Sequence, residues 1–352
     1  MIITRTPFRV SLFGGGTDFP AWYREHGGLV VSAAINKYCY VHVRYLPPFF
    51  DYKYRIRYTQ QEYVSSIDEI KHPSVRECIR YMGIADGLEI QHNSDVPAMS
   101  GLGSSSAFTV GLLHALHGLT GRISGKRQLA TQAIEVEQDW IKECVGTQDQ
   151  CAVAFGGVNT ITFGAGGAGP EYDVAPLTLG PATLATLESH LLLCFTGFQR
   201  NGPDMAADQQ RNMPKHRAEL EEIRQIAVQA VDVIGRHPLN MLETGRLLDA
   251  QWQLKRRLSA LIATPAIADI YDRGMRAGAY GAKLLGAGGG GFMLFLAPPD
   301  RHSAIRTALA PLLFVPFRFE MGGSRIIYYA PSEPYGSSFI DADTSYLDVA
   351  AA

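Results

Sequence analysis

Residues 97–107 read Pro97-Ala98-Met99-Ser100-Gly101-Leu102-Gly103-Ser104-Ser105-Ser106-Ala107, a glycine-and-serine loop that opens directly onto the apolar series Phe108, Val110, Leu112, Leu113, Leu116, Leu119. That series predicts a mostly buried helix that holds the loop rigid. Gly101 and Gly103 let the backbone approach an anion, and the hydroxyls of Ser104, Ser105 and Ser106 surround the N–H groups that a helix start leaves unpaired. The loop therefore reads as a phosphate grip, with ATP as its ligand. A serine-capped helix after a glycine turn is the alternative that this segment alone leaves open. Neither of the better-known phosphate motifs fits. The nearest candidate for a Walker A loop, Gly121 to Arg127, has the wrong glycine spacing and an arginine after Lys126. The G-x-G-x-x-G match at Gly286 to Gly291 runs into the strand-like Phe292 to Leu296, where the dinucleotide fingerprint needs a helix.

Two further glycine motifs accompany the serine loop: Pro7-Phe8-Arg9-Val10-Ser11-Leu12-Phe13-Gly14-Gly15-Gly16-Thr17-Asp18, and Lys283-Leu284-Leu285-Gly286-Ala287-Gly288-Gly289-Gly290-Gly291-Phe292. In order and spacing the three together resemble the GHMP kinase superfamily, and the resemblance runs to about Tyr329. It implies an α+β, two-domain fold: an N-terminal domain like ribosomal protein S5 domain 2 over 1–182 and a ferredoxin-like C-terminal domain over 183–331. A tail follows at 332–352. It also implies that ATP is held by Pro97, Gly101, Leu102, Gly103, Ser104, Ser105, Ser106 and Ala107.

Composition agrees with an enzyme of this kind. The 352 residues suffice for two domains, and 46% hydrophobic content can fill a large core. Thirty-two basic against 34 acidic side chains leave a formal charge of −2, so nothing points to nucleic acid or anionic lipid as a partner. Cys39, Cys78, Cys144, Cys151 and Cys194 are scattered and never in C-x-x-C spacing, which argues against a disulfide framework or zinc site and for a cytoplasmic location. No segment approaches a membrane span.

The first half alternates β-rich runs at 29–35, 39–45, 54–58 and 88–92 with helical stretches, without a βαβ rhythm. Residues 163–170 read as a hairpin tip and 179–183 as the crossing between domains. Beyond a strand at 191–195, long helices are expected over 204–235 and 239–261 and a third over 265–278. Strands at 292–296, 314–319 and 325–329 and a helix at 301–312 complete the second unit. The tail is loosely held or packs on a neighbour, with a homodimer left open.

On a predicted helix from Arg127 to Glu143, the residues Leu129, Ala130, Ala133, Ile134, Val136, Trp140 and Ile141 form one apolar face with Glu137 in its middle. A carboxylate on a buried face requires a cation, either a core arginine or a metal. The family resemblance implies Mg²⁺, held by Glu137 and by Ser105 of the serine loop. It also makes Asp149, in Val145-Gly146-Thr147-Gln148-Asp149-Gln150, the catalytic aspartate that takes or orients the acceptor's proton. Arg9 would then stand beside the acceptor oxygen, although taken alone it reads as a surface strand arginine.

Where galactokinases have Gly-Glu-His-Thr-Asp, this chain has Gly14-Gly15-Gly16-Thr17-Asp18. The sugar-binding aspartate is kept while Glu and His are replaced by glycine, which argues against galactose. With Ala34 to Tyr38 and Phe195-Thr196-Gly197, the motif most resembles the branch that phosphorylates the anomeric hydroxyl of D-glycero-D-manno-heptose 7-phosphate on the route to GDP-heptose for surface polysaccharide. That resemblance implies sugar contacts from Gly14 to Asp18 and from Gly288 and Gly289. A phosphorylated acceptor requires a second anion site, for which Arg200, Lys255 and Arg256 are the candidates; a solvated helix face is the other reading of Lys255 and Arg256. A fucose-type or other sugar 1-kinase, and a sensor that binds sugar and nucleotide without turnover, are the remaining alternatives. Ser105, Glu137 and Asp149 speak against the sensor.

Overall fold

A computed structural model describes residues 1–164, 171–198 and 202–335; Arg200, most of the expected hairpin tip and most of the tail lie outside the described residues. The amino-terminal part forms β1 (Ile2–Phe13), α1 (Pro20–His26), β2 (Gly28–Tyr45), β3 (Tyr54–Arg57), β4 (Gln61–Val64), α2 (Pro73–Met82) and β5 (Leu88–Ser94). There follow α3 (Ser104–Leu119), α4 (Lys126–Glu135), α5 (Gln148–Phe155), β6 (Val158–Phe163), β7 (Tyr172–Pro176) and α6 (Pro181–Ser189). The remainder is β8 (Leu191–Phe195), α7 (Gly202–Asn212), α8 (Arg217–Gly235), α9 (Met241–Lys255), α10 (Pro265–Arg276), β9 (Gly281–Leu284), β10 (Phe292–Leu296), α11 (His302–Ala308), β11 (Leu313–Val315) and β12 (Arg325–Tyr329).

The two strands expected at 29–35 and 39–45 are one continuous strand, β2. Its first half pairs with β6 and its second with β5, while β1 runs antiparallel alongside both. The sheet order is β12-β1-β2-β5-β3-β4, with β6 and β7 attached through β2, and a second, antiparallel sheet runs β11-β8-β10-β9. The fold is thus the two-domain α+β architecture of the sequence reading, with one crossing over: β12, expected in the second unit, pairs with β1 through Ile2↔Tyr329 to Arg5↔Arg325. The helix expected over 204–235 is broken into α7 and α8 by a 3₁₀ turn at Met213–Lys215, because Pro214 offers no N–H to continue the ladder. The one over 239–261 stops at Lys255.

Buried side chains from Ser106 to Leu113 seat α3 on the sheet. Its close approach depends on Gly111, whose carbonyl accepts from Thr4 Oγ1 at 2.9 Å; a β-carbon there would lie 2.9 Å from Thr6 Oγ1. The last part of β1 is buried on both faces because α8 and α9 also lean on it. A second close approach sets α9 against β9, where a β-carbon on Gly281 would overlap the Gly245 carbonyl oxygen. Neither backbone can yield without moving its element. Gly281→Val is therefore expected to destabilise the protein by about 1–3 kcal/mol, the usual cost of overpacking, checked by urea denaturation; an unchanged midpoint would show that α9 and β9 have room to separate.

Candidate active site

β1, the serine loop, α5 and the glycine turn before β10 converge on one cavity of about 400 Å³. Arg9 points from β1 into it and is buried. Its Nε and Nη2 donate to Asp149 Oδ1 and Oδ2, both at 2.7 Å, and Nη1 donates to the Gly101 carbonyl at 2.7 Å. Burial of Arg9 disposes of the surface-arginine reading. A bidentate pair of this kind fixes the carboxylate plane as well as neutralising it. Asp149 is the more exposed partner and lies in the first turn of α5, lining the cavity.

The serine loop approaches as its glycines require. Gly101 and Gly103 have φ near +80° and +75°, and a β-carbon on Gly103 would stand 3.1 Å from Arg9 Cγ and 3.3 Å from Asp149 Oδ2. Gly103 is also the residue that starts α3, and no side chain caps that end. The first-turn N–H groups thus remain available to an anion, beside the cavity-lining Ser104, Ser105 and Ser106. Pro97 is exposed and, with Leu102 and Ala107 in the core, frames the loop without lining the cavity.

Besides Arg9, the first motif gives the cavity Ser11, Gly15, Gly16 and Asp18. Asp18 is buried; Oδ1 accepts from the Gly16 N–H at 2.8 Å and Oδ2 from Gln148 Nε2 at 2.8 Å, while burial, and then Asp149, push its carboxyl above the ordinary range. Gly14 and Thr17 build the turn instead: the Thr17 hydroxyl donates to the Gly14 carbonyl at 2.8 Å, and neither residue lines the cavity. In the third motif Gly288 lines it, whereas Gly289 donates its N–H to the Ile262 carbonyl at 3.0 Å and does not.

Glu137 departs from the expected helix in an informative way. α4 ends at Glu135, and residues Val136–Trp140 form a π turn that leaves Trp140 46% exposed, so Trp140 drops out of the predicted apolar face while Ile141 still packs against the core. Glu137 itself is fully buried, with Oε2 accepting from Ser106 Oγ at 2.9 Å and from Gln150 Nε2 at 2.5 Å. Among the described residues Oε1 has no hydrogen-bond partner; the Thr109 hydroxyl, which also lowers this carboxyl, donates to the Ser105 carbonyl at 3.2 Å. No arginine pairs with it among the described residues, and burial pushes its carboxyl up to about 7. An orphaned carboxylate oxygen behind a hydroxyl-lined cavity fits a hard divalent cation such as Mg²⁺. The hydroxyl bonded to Glu137 is that of Ser106; Ser105 is exposed on the cavity side.

The basic cluster is divided by helix geometry. Lys255 is 5% exposed and lines the cavity, while Arg256 turns away, 3.5 Å from Gln253 Oε1, and lines no part of it. Gln148, Gln251 and Lys283 went unassigned in the sequence. Gln251 Oε1 accepts the Gly14 N–H at 2.5 Å, and Lys283 lies at 1% exposure in a strand whose four residues are all buried. A lysine flanked by Ala282 and Leu284 in an apolar strand was the available signal; for the glutamines there was none.

Two family models match this chain, the GHMP kinases N-terminal domain over residues 70–157 and the GHMP kinases C-terminal domain over 239–311. It is 27% identical over 321 residues to D-glycero-alpha-D-manno-heptose 7-phosphate kinase of Campylobacter jejuni, covering 88% of this chain and 93% of that protein. It is also 27% identical to the L-fucokinase/L-fucose-1-P guanylyltransferase of Bacteroides fragilis, across 86% of this chain but 35% of that longer one. A crystal structure of a D-glycero-D-manno-heptose 1-phosphate kinase from Bacteroides thetaiotaomicron superposes with a TM-score of 0.74 at 25% identity, covering 94% of this chain and 100% of that one.

The burial of Glu137 makes a prediction about pH. Its folded value near 7 exceeds the ordinary 4.5, so between these pH values the folded carboxyl keeps a proton that the unfolded chain releases. The resulting penalty is absent below about pH 4.5, grows as pH rises and is complete above about pH 7, at about 3 kcal/mol. With metal chelated, Glu137→Gln should raise the melting temperature relative to the parent at pH 8 and lose that advantage at pH 5. Equal differences at both pH values would show that Glu137 is ionised and compensated throughout.

Proposed function

The chain belongs to the GHMP kinase family, and from that membership we propose that this sugar kinase transfers the γ-phosphoryl group of ATP to the anomeric hydroxyl of D-glycero-D-manno-heptose 7-phosphate, giving the 1,7-bisphosphate. The observation that carries the proposal is the Arg9–Asp149 pair facing the cavity between the serine loop and Asp18. The near-full-length similarity to the Campylobacter jejuni enzyme supports the acceptor. Its name and that of the Bacteroides thetaiotaomicron protein place the phosphate differently, and the anomeric position is chosen here because the first motif is that of sugar 1-kinases. The product suits a route to an activated heptose for surface polysaccharide.

In this mechanism the phosphates of ATP lie on the unpaired N–H groups at the start of α3, close to Ser104 and Ser105. Glu137 Oε1 and a serine-loop hydroxyl would hold Mg²⁺, which when bound neutralises charge on the phosphate oxygens. Asp18, kept in place by the Gly16 N–H and Gln148, accepts from a sugar hydroxyl and orients the ring. Asp149 uses one lone pair of each oxygen on Arg9, leaving the others to accept the proton of the anomeric hydroxyl as the phosphorus–oxygen bond forms. Arg9 remains cationic beside that oxygen and holds it nucleophilic.

Asp149→Asn is expected to lower kcat by about 10²-fold or more, the scale of general-base loss, with ATP affinity little changed and the fold verified by melting. Turnover near the parental rate would remove Asp149 from the chemistry. The acceptor is tested by ADP release across free and phosphorylated sugars, with phosphorus NMR of the product. A new anomeric phosphate beside an intact 7-phosphate is expected; preferential turnover of L-fucose would overturn the acceptor and leave the kinase standing.

A further inference from the structure

Lys255 ends α9 and Lys283 lies within β9, and the Gly245–Gly281 contact between those elements brings both side chains to the same cavity. Among the described residues their ammonium groups hydrogen-bond only to main chain: Lys255 Nζ donates to the Gly286 carbonyl at 2.5 Å, and Lys283 Nζ to the Ser11 and Leu12 carbonyls at 2.7 and 3.1 Å. Each ammonium carries three donors, so two on Lys255 and one on Lys283 remain unused. Among the described residues neither lysine has a carboxylate within ion-pair distance. Of the acids that line the cavity, Asp149 is engaged by Arg9 and Asp18 by Gly16 and Gln148, while Glu143, raised by burial, makes no ion pair with either lysine. Two buried ammonium groups without a counter-ion are costly unless an anion arrives to complete them.

We propose that Lys255 and Lys283 together form the subsite for the acceptor's own phosphate monoester, and that the substrate supplies the counter-ion the protein lacks. This rests on the reading of the acceptor as a phosphorylated sugar, and it replaces Arg256 by Lys283 in the anion site. The electrostatics carry a sign. Burial, and after it the Arg9 guanidinium, lowers both lysines, Lys255 to about 8 and Lys283 well below its ordinary value, the latter also because Lys255 faces it. Asp18, and for Lys255 also Asp149, act in the opposite direction. A dianion between them favours their charged forms, so binding draws protons from solution. Above about pH 8 the Lys255 ammonium is lost and affinity for the phosphate falls, while the phosphate itself, with its second ionisation near 6, no longer changes charge.

The test compares kcat/KM for D-glycero-D-manno-heptose 7-phosphate and the unphosphorylated heptose in the parent, in Lys255→Met and in Lys283→Met, each checked by thermal melting. Calorimetry of heptose 7-phosphate binding at pH 8, in buffers of different ionisation heat, counts the protons taken up. Each methionine is expected to narrow the preference for the phosphorylated sugar by about 10- to 100-fold, the range for a charge-assisted contact, and to lower proton uptake. Inorganic phosphate on the parent protein gives a reading independent of the variants, with inhibition competitive against the sugar phosphate expected. Competition against ATP alone would assign the lysines to the nucleotide and overturn the proposal. So would an unchanged preference in both variants. If heptose 7-phosphate is not a substrate but a hexose 6-phosphate shows the same narrowing, the subsite is upheld and only the heptose reading fails.

Discussion

The guanidinium of Arg9 is the tie on which the site depends. A buried cation must be matched on every side, and here each side belongs to a different part of the chain: β1 supplies the arginine, the serine loop the Gly101 carbonyl, and α5 the Asp149 carboxylate. The main chain repeats the connection, with the Arg9 N–H donating to the Leu102 carbonyl at 3.0 Å. One residue therefore sets the distance between the serine loop and the aspartate.

Around that tie the glycine loops fit into one another without side chains between them. A β-carbon on Gly286 would stand 2.6 Å from Gly101 Cα, and one on Gly101 would stand 2.5 Å from the Leu285 oxygen. Contact at backbone distance lets the two halves of the molecule enclose a small cavity while leaving N–H groups directed at it. The third motif works chiefly as a close-fitting wall, and that is why Gly288 lines the cavity while Gly289, one residue on, is tied to Ile262.

The sequence was most legible where chemistry is local. The serine loop, Arg9, Asp18 and Asp149 stand in short motifs, and the structure gathers all of them into one cavity. It was least legible where a residue's role depends on which way a helix or strand is turned. Lys255 and Arg256 are adjacent and equally basic, yet the end of α9 directs one inward and the other away. Ser105 and Ser106 differ in the same manner, Ser106 meeting Glu137 while Ser105 stays exposed on the cavity. Gln251 reaches Gly14 across 237 positions of sequence, a contact with no local signature.

The return of β12 to the first sheet has a consequence for synthesis on the ribosome. β1 emerges first, but one of its two neighbours is among the last strands made, and the Met1 ammonium also meets the Ala330 carbonyl. A nascent chain thus holds Ile2 to Arg5 with an open edge until Arg325 to Tyr329 have been translated. Contacts of such long sequence separation form slowly and leave strand edges exposed to wrong partners. β1 therefore closes in two steps: the part that carries Arg9 pairs with β2, close by in sequence, and the Ile2 to Arg5 edge waits for β12.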